Sequence, residues 1–582
     1  MIIYDFETYR FNWVLTWLDT ETREMYTIHD SKEDMEKMYE HYKNRIWVGY
    51  NSRRYDVYIA QAILCGFDPY EMNQWIIDKD RFGWEFSELL RKFPIINYDC
   101  SVGFRSLKEL EAFMGHDIRE TTVPFDIDRP LTDEEIEEVK VYNKHDVMET
   151  FHVFLETKET FETHVALIEE FNLHPSSISR TPQQLASEIL GAYSKDRDDE
   201  FDITFVDTLE LGKYEYIKDH LQNWADNIQD YDKDKLNLET EVAGVPTIIA
   251  NGGLHSAIDN YYGEGNYMLV DVGGYYPSLM IEYDMLSRNV TNRKKFKTIR
   301  DDRNVLKAKG DPREKPRKLL TNITYGATKY KYSKMYDPLQ GNNICFNGQL
   351  LLIDLAEKLE NHCQIIQKNT DGILIKLYNE SDKDEIIRIC NEWEDRTRMT
   401  LDYDYFNKVI QANVNNYIFV EENGNLHTKG SVVKKLNPLD NDLPIINRAV
   451  VNYFVHNTPV RETVYSSDKL IDFQKITKIS SKYEFGFKED LNSTNLEVFD
   501  GQVYHGEIKP EKVHRCFASK YDTDGILYKK HREKDGLDKT ASTPEKCFID
   551  NGEVLGKSVP AKLDREWYVE LGERKVREFL GK

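Results

Sequence analysis

The chain reads as a soluble α/β protein of several domains. Three observations carry that expectation. Its 582 residues exceed what one hydrophobic core holds. Apolar runs of strand length alternate with capped, amphipathic helical stretches. Single carboxylates stand at the ends of several apolar runs, where burial is expensive without a partner. Hydrophobic residues are 40% and charged residues 31% of the sequence. No apolar run has the length of a membrane span, which excludes an integral helical membrane protein. The first residues are already strand-like and show no signal-peptide pattern. Seven scattered cysteines without C-x-x-C pairs point to reduced thiols and no zinc site.

The first eight residues, M-I-I-Y-D-F-E-T, predict a strand. At period two, Asp5 and Glu7 share a face, a pairing that suits a metal ion. Ser31 and Asp34 cap a helix to about Asn44. Ile46–Tyr50 is a strand, followed by Asn51 and then a helix from Asp56 to about Gly66. Arg105–Leu110, containing Ser106 and Leu107, opens a short helix. Thr132 and Glu135 cap a long helix to about residue 158. On it Tyr142 and Asp146 are four positions apart and reach one site. His145 points about 100° away from Asp146 and is expected to be a bystander. No other histidine falls in a ligand-like cluster. Residues 160–240 carry little signal.

Val242–Ala250 predicts a strand, with a turn at Asn251-Gly252-Gly253. Met268–Val270 forms the core of a buried strand that ends at Asp271. Tyr275-Tyr276-Pro277 then opens a helix. Between Ser287 and Met335 stand 16 Lys/Arg against four acids, in a chain of net charge −25. A local basic face of this kind outweighs the total charge in judging partners. Within it Lys318, Asn322 and Tyr325 fall on one helical face. Phe346–Leu359 is an apolar helix. Gln364–Leu377 is a hairpin with Asp371 exposed at its tip. Tyr417–Val420 is a strand, with a turn at Thr428-Lys429-Gly430. Beyond residue 440 come a helix at Leu443–Phe454, polar strand-like segments with Gly501 and Gly506, a loop-like Lys530–Pro544, and a closing helix at Asp564–Leu580.

Two carboxylates on adjacent strands can hold two Mg²⁺ ions for in-line phosphoryl transfer. The ordered set D-x-x-x-x-Y-P-S (Asp271–Ser278), K-x-x-x-N-x-x-Y-G (Lys318–Gly326) and T-D (Thr370-Asp371) resembles the polymerase motifs of family B DNA polymerases. D-x-E (Asp5, Glu7), N-x-x-x-Y-D (Asn51–Asp56) and Y-x-x-x-D (Tyr142–Asp146) resemble the motifs of that family's 3′–5′ proofreading exonuclease. The motifs run from Asp5 to about Lys429. The compact layout is similar to that of small bacteriophage enzymes.

The resemblance implies an RNase H-like exonuclease domain followed by a right-hand polymerase with an antiparallel palm sheet, helical fingers and a mixed thumb. The implied domains are 1–165 exonuclease, 166–245 connection, 246–290 and 331–440 palm, 291–330 fingers, and 441–582 thumb and C-terminal region. Asp271 and Asp371 become one metal centre; Asp5, Glu7, Asp56 and Asp146 become the other, with Tyr142 on the attacking water. Each holds two Mg²⁺, for which Mn²⁺ can substitute. Tyr276 becomes the gate against ribose, Lys318 and Arg300 or Arg303 the triphosphate ligands, and Asn322 and Tyr325 the base-pair pocket. Asn51, Ser106, Leu107, Gly252, Gly253 and Lys429 become DNA contacts. Expected partners are primer-template DNA, deoxynucleotides and phage helicase or single-strand-binding protein, for a monomer in the cytoplasm of an infected bacterial host. The spans between polymerase motifs have no room for a protein-priming insert.

The sequence departs from the family pattern at Ala250, where an aromatic is usual, at Gly274-Tyr275, and at Asn369 and Gly372, where the family has Asp and Ser. These departures keep two rivals open: an exonuclease with a disabled polymerase centre, and a DNA-binding scaffold without catalysis.

Overall fold

The computed structural model describes the chain except residues 229–235, 481, 489–495, 500–501, 506, 510–511, 522–524, 534–536 and 541. Gly501, Gly506 and part of 530–544 therefore lie outside the described residues. The protein is a mixed α/β structure of two compact units. One comprises Met1–Ser179, Leu436–Ala449 and Val460–Leu571; the other comprises Arg180–Lys435, Val450–Pro459 and Gly572–Lys582. Among the described residues, no helix is long and apolar enough to cross a membrane.

The first unit is built on a five-stranded sheet of β1 (Ile2–Thr8), β2 (Trp13–Asp19), β3 (Glu24–His29), β4 (Trp47–Gly49) and β5 (Asn97–Asp99), in the order β3-β2-β1-β4-β5. β1 is antiparallel to β2 and parallel to β4, which is parallel to β5. Its helices are α1 (Lys32–Tyr42), α2 (Asp56–Cys65), α3 (Pro69–Asn73), α4 (Leu107–Met114), α5 (Asp133–Glu156) and α6 (Lys158–Glu170). Ile2, Tyr4 and Phe6 of β1 enter one core with Met35, Met38, Ile59 and Ile63. Strand alternation sends Asp5 and Glu7 to the opposite face, against which α5 packs. The predicted caps hold: Ser31 accepts from the Asp34 N–H, and Thr132 with Glu135 forms a capping box.

The region 441–582, set apart in the sequence, contributes strands to this unit. Lys475–Lys478, Val513–Ala518 and Cys547–Ile549 form a three-stranded sheet. From its middle strand Arg515, fully buried, donates to the carbonyls of Ala112 and His116 at 3.0 and 2.8 Å.

The second unit begins with α7 (Pro182–Ile189) and α8 (Glu215–Asn227). Its strands are β6 (Asn237–Val242), β7 (Val245–Ala250), β8 (Gly253–Ala257), β9 (Tyr261–Val272), β10 (Cys363–Asn369), β11 (Gly372–Leu377), β12 (Leu401–Asn413), β13 (Asn416–Val420) and β14 (Leu426–Lys429). They form one antiparallel sheet in the order β14-β13-β12-β9-β11-β10-β8-β7-β6. One expectation needs correction. The strand read as Val242–Ala250 is broken after Val242 by a turn at Ala243-Gly244, both with positive φ. Such a two-residue turn matches strand twist and makes a hairpin of β6 and β7.

The unit's remaining helices are α9 (Tyr275–Glu282), α10 (Arg293–Ala308), α11 (Glu314–Lys329), α12 (Pro338–Leu359) and α13 (Lys383–Thr397). α12 is buried around nearly its whole circumference and packs under β8, β10 and β11. α10 and α11 pair as a hairpin whose turn contains Gly310 at φ +65°. The basic stretch read from the sequence is largely this hairpin.

Candidate catalytic centres

In the first unit Asp5, Glu7 and Asp146 each offer an oxygen within 4.8 Å of the others. Asp5 and Glu7 come from β1, and Asp146 comes from the face of α5 that covers it. Asp56, at the start of α2, accepts the Phe6 N–H at 3.2 Å, which ties it to the same strand. Asn143 donates to Asp5 at 2.7 Å. Burial, then the charges of Asp56, Glu7 and Asp146, push the Asp5 carboxyl well above its ordinary range. Burial and Asp146 do the same to Glu7. Burial raises Asp56 to about 7 against two backbone hydrogen bonds.

Lys108 was not singled out in the sequence. Its ammonium is ion-paired with Asp146, lies 3.0 Å from buried Glu111, and stands 4.6 Å above the Tyr142 ring. Although burial opposes its charge, these carboxylates raise its pKa, so it stays protonated. Burial and the Asp146 charge push the Tyr142 phenol far up, so it is a hydrogen-bond donor. His145 is more than a bystander: its Nε2 lies 3.4 Å from Glu111, the second partner of Lys108.

Asn51 closes β4 at φ +56°, and its N–H is held by Asp99 at 3.1 Å. Ser106 caps α4, and its buried hydroxyl has no hydrogen-bond partner. Leu107 opens that helix half-buried. Nearby, the Phe104 ring stands fully in solvent, another feature not read from the sequence.

In the second unit Asp271 pairs in register with Gly372 across β9 and β11. Thr370-Asp371 forms the two-residue turn before Gly372, so Asp371 stands exposed beside the end of β9. The Val272 N–H donates to the Asp371 carbonyl at 2.8 Å and fixes the tip. On the other flank β12 sets Asp402 opposite Asp271. Asp402 and Asp404 lie outside the sequence motifs, because strand register shows only after folding. Burial, then Asp371, Asp402 and Asp404, raise the Asp271 pKa to about 7, with Lys307 opposing. Surrounding protein also raises Asp371, and the Lys429 charge on β14 lowers it. Lys307 on α10 lies 3.1 Å from Asp402.

Gly372 has a physical reason. A Cβ there would lie 2.7 Å from Asp271 Oδ1 and 3.3 Å from Leu269. Gly274 takes φ +58° at the cap of α9, and its Cβ position is 3.6 Å from the Arg303 guanidinium. Tyr276 stacks on Tyr325 with centroids 4.0 Å apart. Burial pushes the Tyr276 phenol up to about 12. Lys318 and Asn322 are exposed on the same helix that carries Tyr325. Arg300 is engaged with Glu282 at 3.0 Å and Asp301 at 2.8 Å. Arg303 Nε lies 3.7 Å from Glu314 and, among the described residues, has no hydrogen bond. Asn251 and Gly252 form the β7–β8 turn and Gly253 opens β8, with open space around the Cβ positions of both glycines.

Both groups of acids suit divalent cations. Each crowds carboxylates whose pKa is raised by burial and by one another's charge, and oxygen is the ligand Mg²⁺ prefers. A further correction concerns histidine. His116, Glu149 and His152 converge in the first unit, whereas the sequence places no histidine in a ligand-like cluster.

No family model matches the chain, and no curated protein is similar to it. Among solved structures, the family B DNA polymerase from the hyperthermophilic archaeon Pyrobaculum calidifontis is similar over 99% of this chain and 77% of its own, with 11% identity and a TM-score of 0.40.

Proposed function

We propose that the chain is a family B DNA polymerase of the compact bacteriophage type, synthesising DNA at Asp271 and Asp371 and removing mismatched 3′ ends at Asp5, Glu7, Asp56 and Asp146. The observation that carries this reading is the ladder Asp271↔Gly372, which brings Asp371 beside Asp271 in the unit that also carries the basic α10–α11 hairpin. A mixed sheet with paired acids on its central strand supports the RNase H-like reading of the first unit. The second unit supplies the antiparallel palm sheet, its α10–α11 hairpin the fingers, and residues 441–582 the thumb region. Substrates are primer-template DNA and deoxynucleotides. Helicase and single-strand-binding protein are the phage partners, and the site of action is the cytoplasm of the infected host.

Magnesium, when bound, supplies charge neutralisation at the transferring phosphorus and lowers the pKa of the attacking oxygen. Asp271 and Asp371 hold it at synthesis, and Asp5, Glu7, Asp56 and Asp146 hold it at editing. Lys318 contacts the α-phosphate and screens the leaving pyrophosphate. Arg303, whose Nε has Glu314 at 3.7 Å but no hydrogen bond, takes the terminal phosphate in preference to Arg300, whose donors are already engaged. Tyr276, locked by stacking on Tyr325, closes the space under the sugar. Asn322 shapes the base pair, Lys429 steadies the primer, and Gly252-Gly253 lets the template backbone approach. At editing, Tyr142 donates to the attacking water, and Asn51, Ser106 and Leu107 hold the frayed strand.

Primer extension on a longer template, with Mg²⁺ and with or without dNTPs, tests this directly. Growth with dNTPs and 3′ shortening without them is expected. Shortening in both conditions favours the second reading, an exonuclease whose polymerase centre is disabled by Asn369 and Gly372. No change in either overturns both enzymatic readings.

A further inference from the structure

Glu149 and His152 lie three positions apart on α5 and share a face; His116 follows the end of α4. His116 Nδ1 lies 2.7 Å from one Glu149 oxygen, and His152 Nδ1 lies 3.2 Å from the other. The imidazole centroids are 4.8 Å apart. The Glu149 side chain is 6% exposed, against 20% for His116 and 37% for His152. The carboxylate is thus buried while the imidazole edges reach solvent, which gives an ion a way in and leaves coordination positions for water. Among the described residues, no lysine or arginine is hydrogen-bonded to Glu149 or ion-paired with it.

The backbone that carries His116 is held in advance. Gly115 takes φ +85°, the left-handed cap of α4. The His116 N–H donates to Glu111 at 3.0 Å, and its carbonyl accepts from buried Arg515 at 2.8 Å. Two imidazoles and one carboxylate are the donor set of catalytic zinc sites and of non-haem iron centres. Oxygen-seeking Mg²⁺ fits such a set poorly.

We propose that His116, Glu149 and His152 bind a divalent first-row transition ion of the zinc type, tying the end of α4 to α5. The inference rests on these residues alone and not on the polymerase reading. It concerns a site apart from the Asp5–Asp146 cluster, although α4 and α5 also carry Lys108 and Asp146. A bound ion braces the two helices that position that pair.

The test uses the full chain stripped by a chelator. With Mg²⁺ in excess to fill the carboxylate clusters, titration with Co²⁺ is expected to load one ion with visible d–d absorption and no thiolate charge-transfer band, which sets it apart from binding at the seven free cysteines. Zn²⁺ displaces it and raises the melting temperature above that with Mg²⁺ alone; excess Mg²⁺ does not displace it. His152→Ala and His116→Ala are each expected to weaken zinc binding by about 100-fold or more, since even outer-shell changes cost 10–100-fold. Glu149→Gln, which keeps shape and hydrogen bonding, loses affinity likewise. If the wild type takes up no cobalt, or if the double variant His116→Ala/His152→Ala binds as tightly as wild type, the proposal fails. The three residues are then a hydrogen-bonded clamp only.

Discussion

Each unit buries a lysine, and the two lysines are treated in opposite ways. In the first unit Lys108 is ion-paired with Asp146 and Glu111, and its pKa is raised. In the second, Lys368 of β10 precedes Asn369 and is fully buried, yet among the described residues its ammonium hydrogen-bonds to the Val242 carbonyl alone, at 2.8 Å. Burial lowers its pKa to about 7. The acids differ in the same sense. Glu7, Asp56 and Asp146 are each under 10% exposed, whereas Asp371 stands in solvent at a hairpin tip. The first cluster carries its own cation and is enclosed. Among the described residues, the second has no buried cation paired with Asp271 or Asp371, and it is open. An enclosed cluster needs internal charge to fold; an open one can leave its charge to be met by what binds.

The largest expected effect separates the two clusters outright. Asp371→Ala is expected to lower primer extension by on the order of 10³-fold, from several kcal/mol of lost charge stabilisation, while single-strand shortening persists. Asp5→Ala is expected to give the reverse. Both rates in one gel assay check this; loss of both activities in either variant would break the assignment of separate tasks.

Next comes the internal cation. Lys108→Met leaves Asp146 and Glu111 buried without their partner, and breaking such a pair costs about 3–5 kcal/mol. Asp146→Asn in the same chain should recover part of that loss. A double-mutant cycle by denaturant unfolding measures the coupling, and strict additivity would count against the pair.

A smaller effect tests the open cluster. Gly372→Ser installs the family's usual residue, but its Cβ would meet Asp271 Oδ1 at 2.7 Å. Overpacking of this kind costs about 1–3 kcal/mol, and here it falls on a ligand carboxylate. Extension is expected to drop about 10–100-fold rather than improve. Unchanged extension would mean that Asp271 moves without consequence.

Local signals were legible wherever structure is set by near neighbours. The alternation of Asp5 and Glu7 with Ile2, Tyr4 and Phe6 announced both the strand and its polar face. The Thr370-Asp371 turn showed in the flanking apolar runs, and Thr132 and Glu135 marked the long helix. What stayed hidden depends on distant pairing. Lys108 reads as an ordinary helix residue until α4 meets α5, 38 positions away in sequence. Asp402 becomes a neighbour of Asp271 only through β9–β12 register. His116 lies 33 positions from Glu149, and nothing in either local pattern points to the other.

The last prediction concerns Lys368 and pH. Unfolded, its side chain holds a proton up to its ordinary value of 10.5; folded, it releases the proton near 7. Between those values the unfolded state binds more protons, so this group makes stability rise with pH across that window. Below pH 7 both states are protonated, the slope vanishes, and the full penalty of the buried charge remains. Lys368→Met keeps the buried volume and removes the proton. Its unfolding free energy should therefore climb less steeply between pH 7 and 10, by up to about 1.4 kcal/mol per pH unit. Urea unfolding at pH 7, 8 and 9 gives both slopes. If Lys368→Met follows the wild type, Lys368 stays protonated in the folded chain, and the contrast between the two lysines disappears.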